Sequence, residues 1–252
     1  MENQVVQQQK SYDFPTEVIT LPSKGKLYPP DNPLSSGTIE MRYMTAKHED
    51  ILTNESYIKS GVVVDKLLEA LIVSSVNLDD VLVGDKNAII VASRILGYGK
   101  DYEFEYNGEK QTVDLSEVKD KELDESLIIN DQNRFEFKLN DKTTLTFKLL
   151  TQGDEKAIEK ELRGLEKLYG KTGLPEASTK LKHSIIAING DEDNKKIRDF
   201  VDNQLLARDA RALRTYINQV QPDVDLVFDY ITTSGMKEAQ IPIGIGFFWP
   251  EA

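Results

Sequence analysis

Two alternating segments in the middle of the chain are each interrupted by a pair of turn-forming residues. YEFEYNGEKQTVDL places Asn107-Gly108 between runs in which aromatic and charged residues alternate, and RFEFKLNDKTTLTFKLL repeats the arrangement around Asn140-Asp141. Alternation with period two predicts half-buried strands, and a short turn between two such runs predicts an antiparallel hairpin. We therefore predict two β-hairpins within residues 100–150.

The preceding region, residues 45–99, has helical spacing instead. Thr45 is a suitable N-cap for a helix that extends to about Ile58, and a second helix follows Gly61. GDKNAIIVASRILGYG predicts a third helix, whose apolar stripe is wide enough for burial on most sides. Three helices are therefore expected before the first hairpin.

Residues 151–221 return to helical spacing after the hairpins. The apolar residues recur every three or four positions, and capping and breaking residues divide the region. We predict a helix capped by Thr151, a helix opened by Pro175 and ended at Asn189-Gly190, and a helical stretch from Asn194 to Val220 with an irregularity near Ala207.

Residues 222–252 predict a third hairpin, with its turn at Ser234-Gly235. The returning strand is IPIGIGFFW, in which five large apolar residues recur at period two: Ile241, Ile243, Ile245, Phe247 and Trp249. An exposed row of this kind would promote aggregation. We therefore expect this strand to be buried mainly within the fold.

Residues 1–44 are expected to lack helices. Residues 1–12 are polar and read as a loosely held arm, and the prolines of FPTEVITLPSKGKLYPPDNPL favour an extended, turning segment. The whole pattern predicts an α+β fold, in which helical regions alternate with antiparallel β-hairpins behind an extended proline-rich N-terminal arm. Residues 45–252 are expected to form one interwoven globular unit.

The acidic balance of the chain restricts its partners. The 252 residues include 43 acidic and 31 basic side chains, for a formal net charge of -12. Such a charge opposes binding to nucleic acid or to an anionic membrane. MENQVVQQQK has no apolar segment of a signal peptide, and no later run reaches the roughly 18 apolar residues of a membrane span. We expect a cytoplasmic protein that binds neither nucleic acid nor membrane.

Reactive side chains are scarce. The absence of cysteine excludes thiolate nucleophiles, disulfides and thiolate metal sites, and two histidines, His48 and His183, are too few for a histidine-rich metal site. His48 is expected in the first turn of a helix and His183 at the edge of an amphipathic helix. We assign no catalytic, cofactor-binding or metal-binding residue and expect no small-molecule substrate.

Two alternatives remain open at this point. Carboxylates can hydrolyse glycosides, so a carboxylate-dependent hydrolase is the alternative to a binding protein, with Glu49, Asp85 and Asp209 as the residues to test. The second concerns an arginine stripe of Arg208, Arg211 and Arg214. It either pairs locally with Asp202 and Asp209 or docks an acidic partner.

Three segments together carry a family resemblance. LPSKGKLYP at residues 21–29, GDKNAIIVASRILGYG at residues 84–99 and FFWP at residues 247–250 resemble, in the same order, the baseplate hub proteins of T-even-type contractile-tailed bacteriophages. The resemblance implies a non-enzymatic protein that contributes to assembly of the central hub of the baseplate. It also implies the host bacterial cytoplasm as the place of assembly, and the tail baseplate of the virion if the protein stays in the particle.

The resemblance implies other baseplate hub proteins as partners. A permanent structural subunit and a transient assembly chaperone need the same kind of interface, so both remain open. The candidate partner-binding residues come from the stiff N-terminal segment, the arginine stripe and the aromatic C-terminus: Pro22, Gly25, Tyr28, Pro29, Arg208, Arg211, Arg214, Phe248 and Trp249.

Overall fold

The structure is a computed structural model that describes residues 15–121, 123–129, 132–170, 173–232 and 235–248. The predicted arm, residues 1–12, lies outside the described residues. Eight α-helices occur in the described part: α1 Ala46–Leu52, α2 Glu55–Ser60, α3 Val63–Leu71, α4 Val83–Tyr98, α5 Gln152–Tyr169, α6 Glu176–Ser184, α7 Asn194–Asn203 and α8 Ala207–Val220. With antiparallel strands in small sheets, they form the predicted α+β fold.

Eleven strands are described, all antiparallel where they pair. They are β1 Thr16–Thr20, β2 Thr38–Arg42, β3 Asp101–Tyr106, β4 Glu109–Asp114, β5 Asp120–Lys121, β6 Phe135–Asn140, β7 Thr143–Phe147, β8 Ile185–Ile188, β9 Asp223–Val224, β10 Val227–Thr232 and β11 Gly235–Gln240. Their sheets are β1-β2, β3-β4, β5-β9, β10-β11 and β6-β7-β8.

The proline-rich segment is closed into a loop by its own strands. β1 pairs with β2 from Thr16–Arg42 to Thr20–Thr38, which the sequence did not predict. Gly25 has φ +78°, and a Cβ there would lie 2.3 Å from the carbonyl oxygen of Ser35. Only glycine fits so close to another backbone in that conformation.

The first helical region begins as predicted and then divides. The predicted helix from Thr45 to about Ile58 is two helices, because α1 ends at Leu52 and Asn54 then caps α2 by accepting hydrogen bonds from the amides of Ser56 and Tyr57. α3 follows Gly61 and α4 follows it as predicted. α4 is the central helix, and Ile89 and most of its other side chains are buried.

The two predicted central hairpins are present. In β3-β4 the turn residues Asn107 and Gly108 both have positive φ, as a tight two-residue hairpin turn requires. In β6-β7 Asn140 pairs with Thr143, so the turn is Asp141-Lys142 and the predicted turn was one residue early. A register shift between Lys138 and Asn140 accompanies this change.

One predicted helix is partly a strand. α6 ends at Ser184, and β8 occupies Ile185–Ile188, where the sequence predicted helix up to Asn189-Gly190. β8 pairs with β7 through Leu145–Ile188 and Phe147–Ile185 and completes a three-stranded sheet. Pairing with an open strand edge outweighs the helical spacing of these residues, since β-branched isoleucine suits a strand at least as well.

The third hairpin forms with a different returning strand. β10 pairs with β11, which is GMKEAQ, so the predicted strand IPIGIGFFW was wrong. The residues after β11 form an irregular segment followed by a 3₁₀ turn over Ile245–Phe248. A turn of this kind buries two consecutive rings, and Phe247 and Phe248 are both buried where a strand would place them on opposite faces. The predicted strand residue Trp249 lies outside the described residues.

The second helical region matches the prediction in its remaining parts. Thr151 and Asp154 form the capping box of α5. α7 and α8 are separated at residues 204–206, close to the irregularity predicted near Ala207. The buried apolar residues form one cluster that runs from Leu21 to Phe248, so the loop between β1 and β2 belongs to the same core as the rest of the chain. No helix in the described ranges is long and apolar enough to cross a membrane.

Candidate functional site

A buried carboxylate joins the loop between β1 and β2 to the central helix. Asp85, in the first turn of α4, is fully buried and accepts three hydrogen bonds. They come from the amide of Ser23 at 2.9 Å, the hydroxyl of Ser23 at 2.6 Å and the hydroxyl of Tyr28 at 2.6 Å. A carboxylate in the first turn of a helix often accepts hydrogen bonds from the amides of that turn, but Asp85 has a different role. It instead holds a segment about sixty residues away.

The donors of this cluster are fixed in direction. The Tyr28 hydroxyl oxygen accepts a hydrogen bond from the amide of Leu82 at 2.9 Å, so its proton is free to go to Asp85. Burial raises the pKa of Asp85, and its hydrogen bonds from Ser23 and Tyr28 act in the opposite direction. Burial, and then the charge of Asp85, raise the pKa of Tyr28. The cluster is sealed inside the core, which makes it a structural clamp.

The C-terminal turn packs against the other end of this scaffold. The 3₁₀ turn over Ile245–Phe248 contacts α4, and the ring of Phe247 meets the ring of Tyr102 edge to face at 4.8 Å. The Tyr102 hydroxyl donates to the carbonyl of Pro242 at 3.1 Å. Beside them the buried Arg94 donates to the carbonyls of Gly99 at 2.9 Å and Asp101 at 3.2 Å.

A large cleft lies beside the loop between β1 and β2. We name it the proline cleft. It has a volume of about 840 Å³ and its apolar lining comes from the loop, from β8 and from α7: Leu27, Pro29, Pro30, Ile185, Ile186 and Ile197. Its size is typical of a binding site.

The charged groups around the proline cleft are neutralised in pairs. Arg134 pairs with Glu192, Lys148 with Asp154, Lys182 with Asp202, and both His183 and Arg198 pair with Glu161. Burial raises the pKa of Glu161, but hydrogen bonds from His183 and Arg198 outweigh it and lower that pKa below its ordinary value. Glu161 is therefore an ionised acceptor and not a proton donor. This pairing of His183 was not predicted from the sequence.

The carboxylates that line the proline cleft are held by other groups of the chain. General acid catalysis by a carboxyl needs a raised pKa at the reacting position, and glycoside hydrolysis needs two such groups facing one bond. In the proline cleft, Asp154 caps α5 and Glu192 is held by Arg134. Within the described ranges no group of three or more histidine, aspartate or glutamate side chains is placed to hold a metal ion.

The three carboxylates named for the hydrolase alternative are not brought together. Glu49 accepts from the hydroxyl of Tyr98 at 3.0 Å, Asp85 is enclosed in the core, and Asp209 lies next to Arg208 at 3.4 Å. They occupy α1, α4 and α8 and line no common cleft among those formed by described residues.

Four of the nine candidate partner-binding residues lie in the interior. Pro22, Gly25, Tyr28 and Phe248 are buried by the chain itself and offer no surface to another protein. The loop that contains the first three is held by contacts within the chain, since Ser23 and Tyr28 bind Asp85. Pro29 is exposed at the proline cleft.

The arginine stripe is on the surface. Arg208 and Arg211 are exposed and Arg214 is half-buried on α8. The predicted local pairing is limited to Arg208 and Asp209, because Asp202 pairs with Lys182. Among the described residues, Arg211 and Arg214 have no ion-pair partner. They are two unneutralised cations on one face of an acidic protein.

Comparison of the chain with models of protein families, with curated proteins and with solved structures gives no match.

Proposed function

We propose that this protein contributes to assembly of the central baseplate hub of a contractile phage tail, as a structural subunit or as an assembly chaperone, through binding and without chemistry. Its partners are other baseplate hub proteins. It acts in the host bacterial cytoplasm during assembly, and as a subunit it would persist in the tail baseplate.

One observation carries the proposal. The three segments on which the resemblance rests are far apart in sequence, and the first and third both pack against the second, which forms α4. Ser23 and Tyr28 of the first segment bind Asp85 of the second, and the described part of the third packs against the same helix, α4. Segments that form one scaffold are expected to occur together in a family, which supports the resemblance over chance similarity of short motifs.

The surface supports binding over catalysis. The proline cleft has an apolar lining and ion-paired charges, and the free cations Arg211 and Arg214 suit an acidic partner surface. Neither feature needs a reactive group. Paired charges around an apolar patch resemble the polar rim and apolar centre of protein interfaces.

The test is co-expression with each hub protein of a contractile-tailed phage, followed by affinity capture and size-exclusion chromatography. We expect one of them to co-elute with this chain. Arg211→Glu should weaken that association, while Arg163→Glu, which changes an exposed arginine on α5, should leave it unchanged. Mass spectrometry of purified virions distinguishes a subunit, which is present, from a chaperone, which is absent.

The proposal fails if no hub protein associates with the chain and the purified protein hydrolyses cell-wall glycan. In that case the hydrolase alternative gains support, and loss of activity on substitution of Glu49, Asp85 or Asp209 with the fold intact would locate the site.

A further inference from the structure

Two hairpins face each other through aromatic side chains near the C-terminal region. The ring of Phe228 on β10 meets the rings of Phe104 and Tyr106 on β3 edge to face, at 4.9 Å and 5.3 Å. Beside this contact lies a cleft of about 460 Å³, which we name the hairpin cleft. It is lined by β4, by the segment after β4, and by β10 with its flanking residues, among them Asp114, Glu117, Lys119, Asp225, Val227 and Asp229.

The backbone of β10 is open along the cleft. The amide of Ile241 donates to the carbonyl of Leu226 at 2.8 Å, which sets the hydrogen-bonding phase of the hairpin. In an antiparallel ladder the phase alternates, so the amides and carbonyls of Val227 and Asp229 point away from β11. β10 and β11 form a two-stranded sheet, and in the described part of the chain no strand pairs with this outer edge.

β4 presents a second open edge to the same cleft. The amide of Leu115 donates to the carbonyl of Lys100 at 2.9 Å, so by the same alternation the backbone groups of Thr112 point away from β3. β3 and β4 also form a two-stranded sheet as far as the chain is described. The cleft therefore lies at two unpaired strand edges.

The chain just before β10 is already paired with another strand. β5 pairs with β9 through Asp120–Val224 and Lys121–Asp223, and the amide of Asp225 donates to the carbonyl of Lys119 at 2.7 Å. Pairing stops there, just before Val227. A segment added along β10 would begin just after this ladder, beyond a turn in which the amide of Leu226 donates to the carbonyl of Val224 at 3.0 Å.

The charged side chains around the hairpin cleft indicate which kind of segment would bind there. Asp114 is held by Lys100 at 2.5 Å, but Glu117, Asp225 and Asp229 have no ion-pair partner within the described ranges. Lys119 is the cleft's one basic lining residue in the same ranges. The lining thus has an excess of carboxylates, and a basic segment would be attracted to it.

We propose that the hairpin cleft binds an extended, basic segment of a partner protein, which adds as a strand to the open edge of β10. Main-chain hydrogen bonds would supply affinity, and alternate lysine or arginine side chains would meet the free carboxylates. A second copy of this chain would bring the same acidic edge to the cleft and is disfavoured by like charge. The inference rests on the proposed function, since it names one surface and one partner chemistry for it.

The chain offers a matched pair of variants for the test. Asp229 and Glu238 are directly opposite each other in the hairpin, both exposed and both acidic, and each has its backbone amide on an outer edge. Asp229→Pro removes an amide and a charge on the cleft side. Glu238→Pro removes the same two features on the other side of the same hairpin. Neither substitution removes a hydrogen bond between β10 and β11.

The probe is a fluorescent heptapeptide of alternating lysine and valine, compared with one of alternating glutamate and valine, in a fluorescence polarisation titration. We expect the lysine peptide alone to bind, with an affinity that falls as salt rises. Asp229→Pro should weaken binding about tenfold, because a backbone hydrogen bond and a charge are lost, and Glu238→Pro should bind like the unchanged chain. Hydrogen exchange at Val227 and Asp229 should slow when the peptide binds.

The proposal is overturned if neither peptide binds, if both bind equally, or if the two proline variants lose the same affinity. If circular dichroism shows that Asp229→Pro disrupts the hairpin, Asp229→Lys and Glu238→Lys replace the pair with the same expected contrast. Co-expression separates the two proposals. A hub protein that associates equally with the unchanged chain and with the Asp229 variant leaves the proposed function standing and removes the cleft as its interface.

Discussion

Removal of one hydroxyl from the core should cost much of the stability of this protein. In Tyr28→Phe the ring stays, but the hydroxyl that donates to Asp85 at 2.6 Å and accepts from the amide of Leu82 at 2.9 Å is lost. A hydrogen bond to a charged acceptor contributes roughly 1.5–3 kcal/mol, and a buried amide left unpaired costs about 1–3 kcal/mol. Both groups are buried, so we expect a loss of about 3–5 kcal/mol in the free energy of unfolding.

Tyr43 provides the matched control. Its hydroxyl also donates to a carboxylate, that of Glu17 at 2.9 Å, but its side chain is 39% exposed. Water can replace that bond, so Tyr43→Phe should change the free energy of unfolding by less than about 0.5 kcal/mol.

The assay is urea unfolding followed by tryptophan fluorescence and far-ultraviolet circular dichroism, with thermal unfolding as a second measurement. A loss of this size should lower the melting temperature of Tyr28→Phe by about 6–20 °C, given a chain of this length. Equal stabilities of the two variants would refute the clamp: the hydrogen bonds between the loop and α4 would then contribute no more than a surface contact.

Two further predictions test packing and electrostatics. Gly84→Ala should lower the free energy of unfolding by about 2–3 kcal/mol, because its new Cβ would lie 1.9 Å from the carbonyl oxygen of Pro222. Gly164→Ala is the control on α5. A Cβ there has open space, so this substitution should raise the free energy of unfolding by about 0.5–1 kcal/mol in the same urea assay. Hydrogen bonds from Lys100 and then Ser116 lower the pKa of Asp114 to about 2. The stabilisation from this ionised carboxylate is present above the pKa of the unfolded chain, near 3.9, and is lost as pH falls towards 2. A nuclear magnetic resonance titration should give that midpoint, and Lys100→Met should raise it; an unchanged midpoint would contradict the assigned cause.

Local signals predicted most of the elements of the fold. Asn107-Gly108 determines its turn because both residues tolerate positive φ, and the cap of α5 is determined by the hydroxyl of Thr151 and the carboxylate of Asp154. These features depend on residues within four positions of one another. They can therefore be recognised without knowledge of the rest of the chain.

The errors arose where distant segments decide the outcome. Ile185 and Ile186 suit a helix face and a strand equally, and the open edge of β7 decides in favour of β8. The role of Asp85 depends on Ser23 and Tyr28, which no spacing rule connects to it. For the same reason the alternation in the C-terminal segment wrongly predicted a strand. The space beside α4 and Tyr102 is filled instead by a compact 3₁₀ turn with two buried rings.

The burial of the resemblance segments determines how variants of this protein should behave. Tyr28 and Asp85 hold the scaffold from inside, so substitutions there reach a partner only through folding. Arg211 and Asp229 lie on the surface without ion pairs within the described ranges, so substitutions there should change binding at unchanged stability. Specificity for a partner would then be encoded outside the three segments that carry the resemblance. Related chains could keep one scaffold and differ in what they bind, because a strand edge and a charged helix face can change without repacking the core.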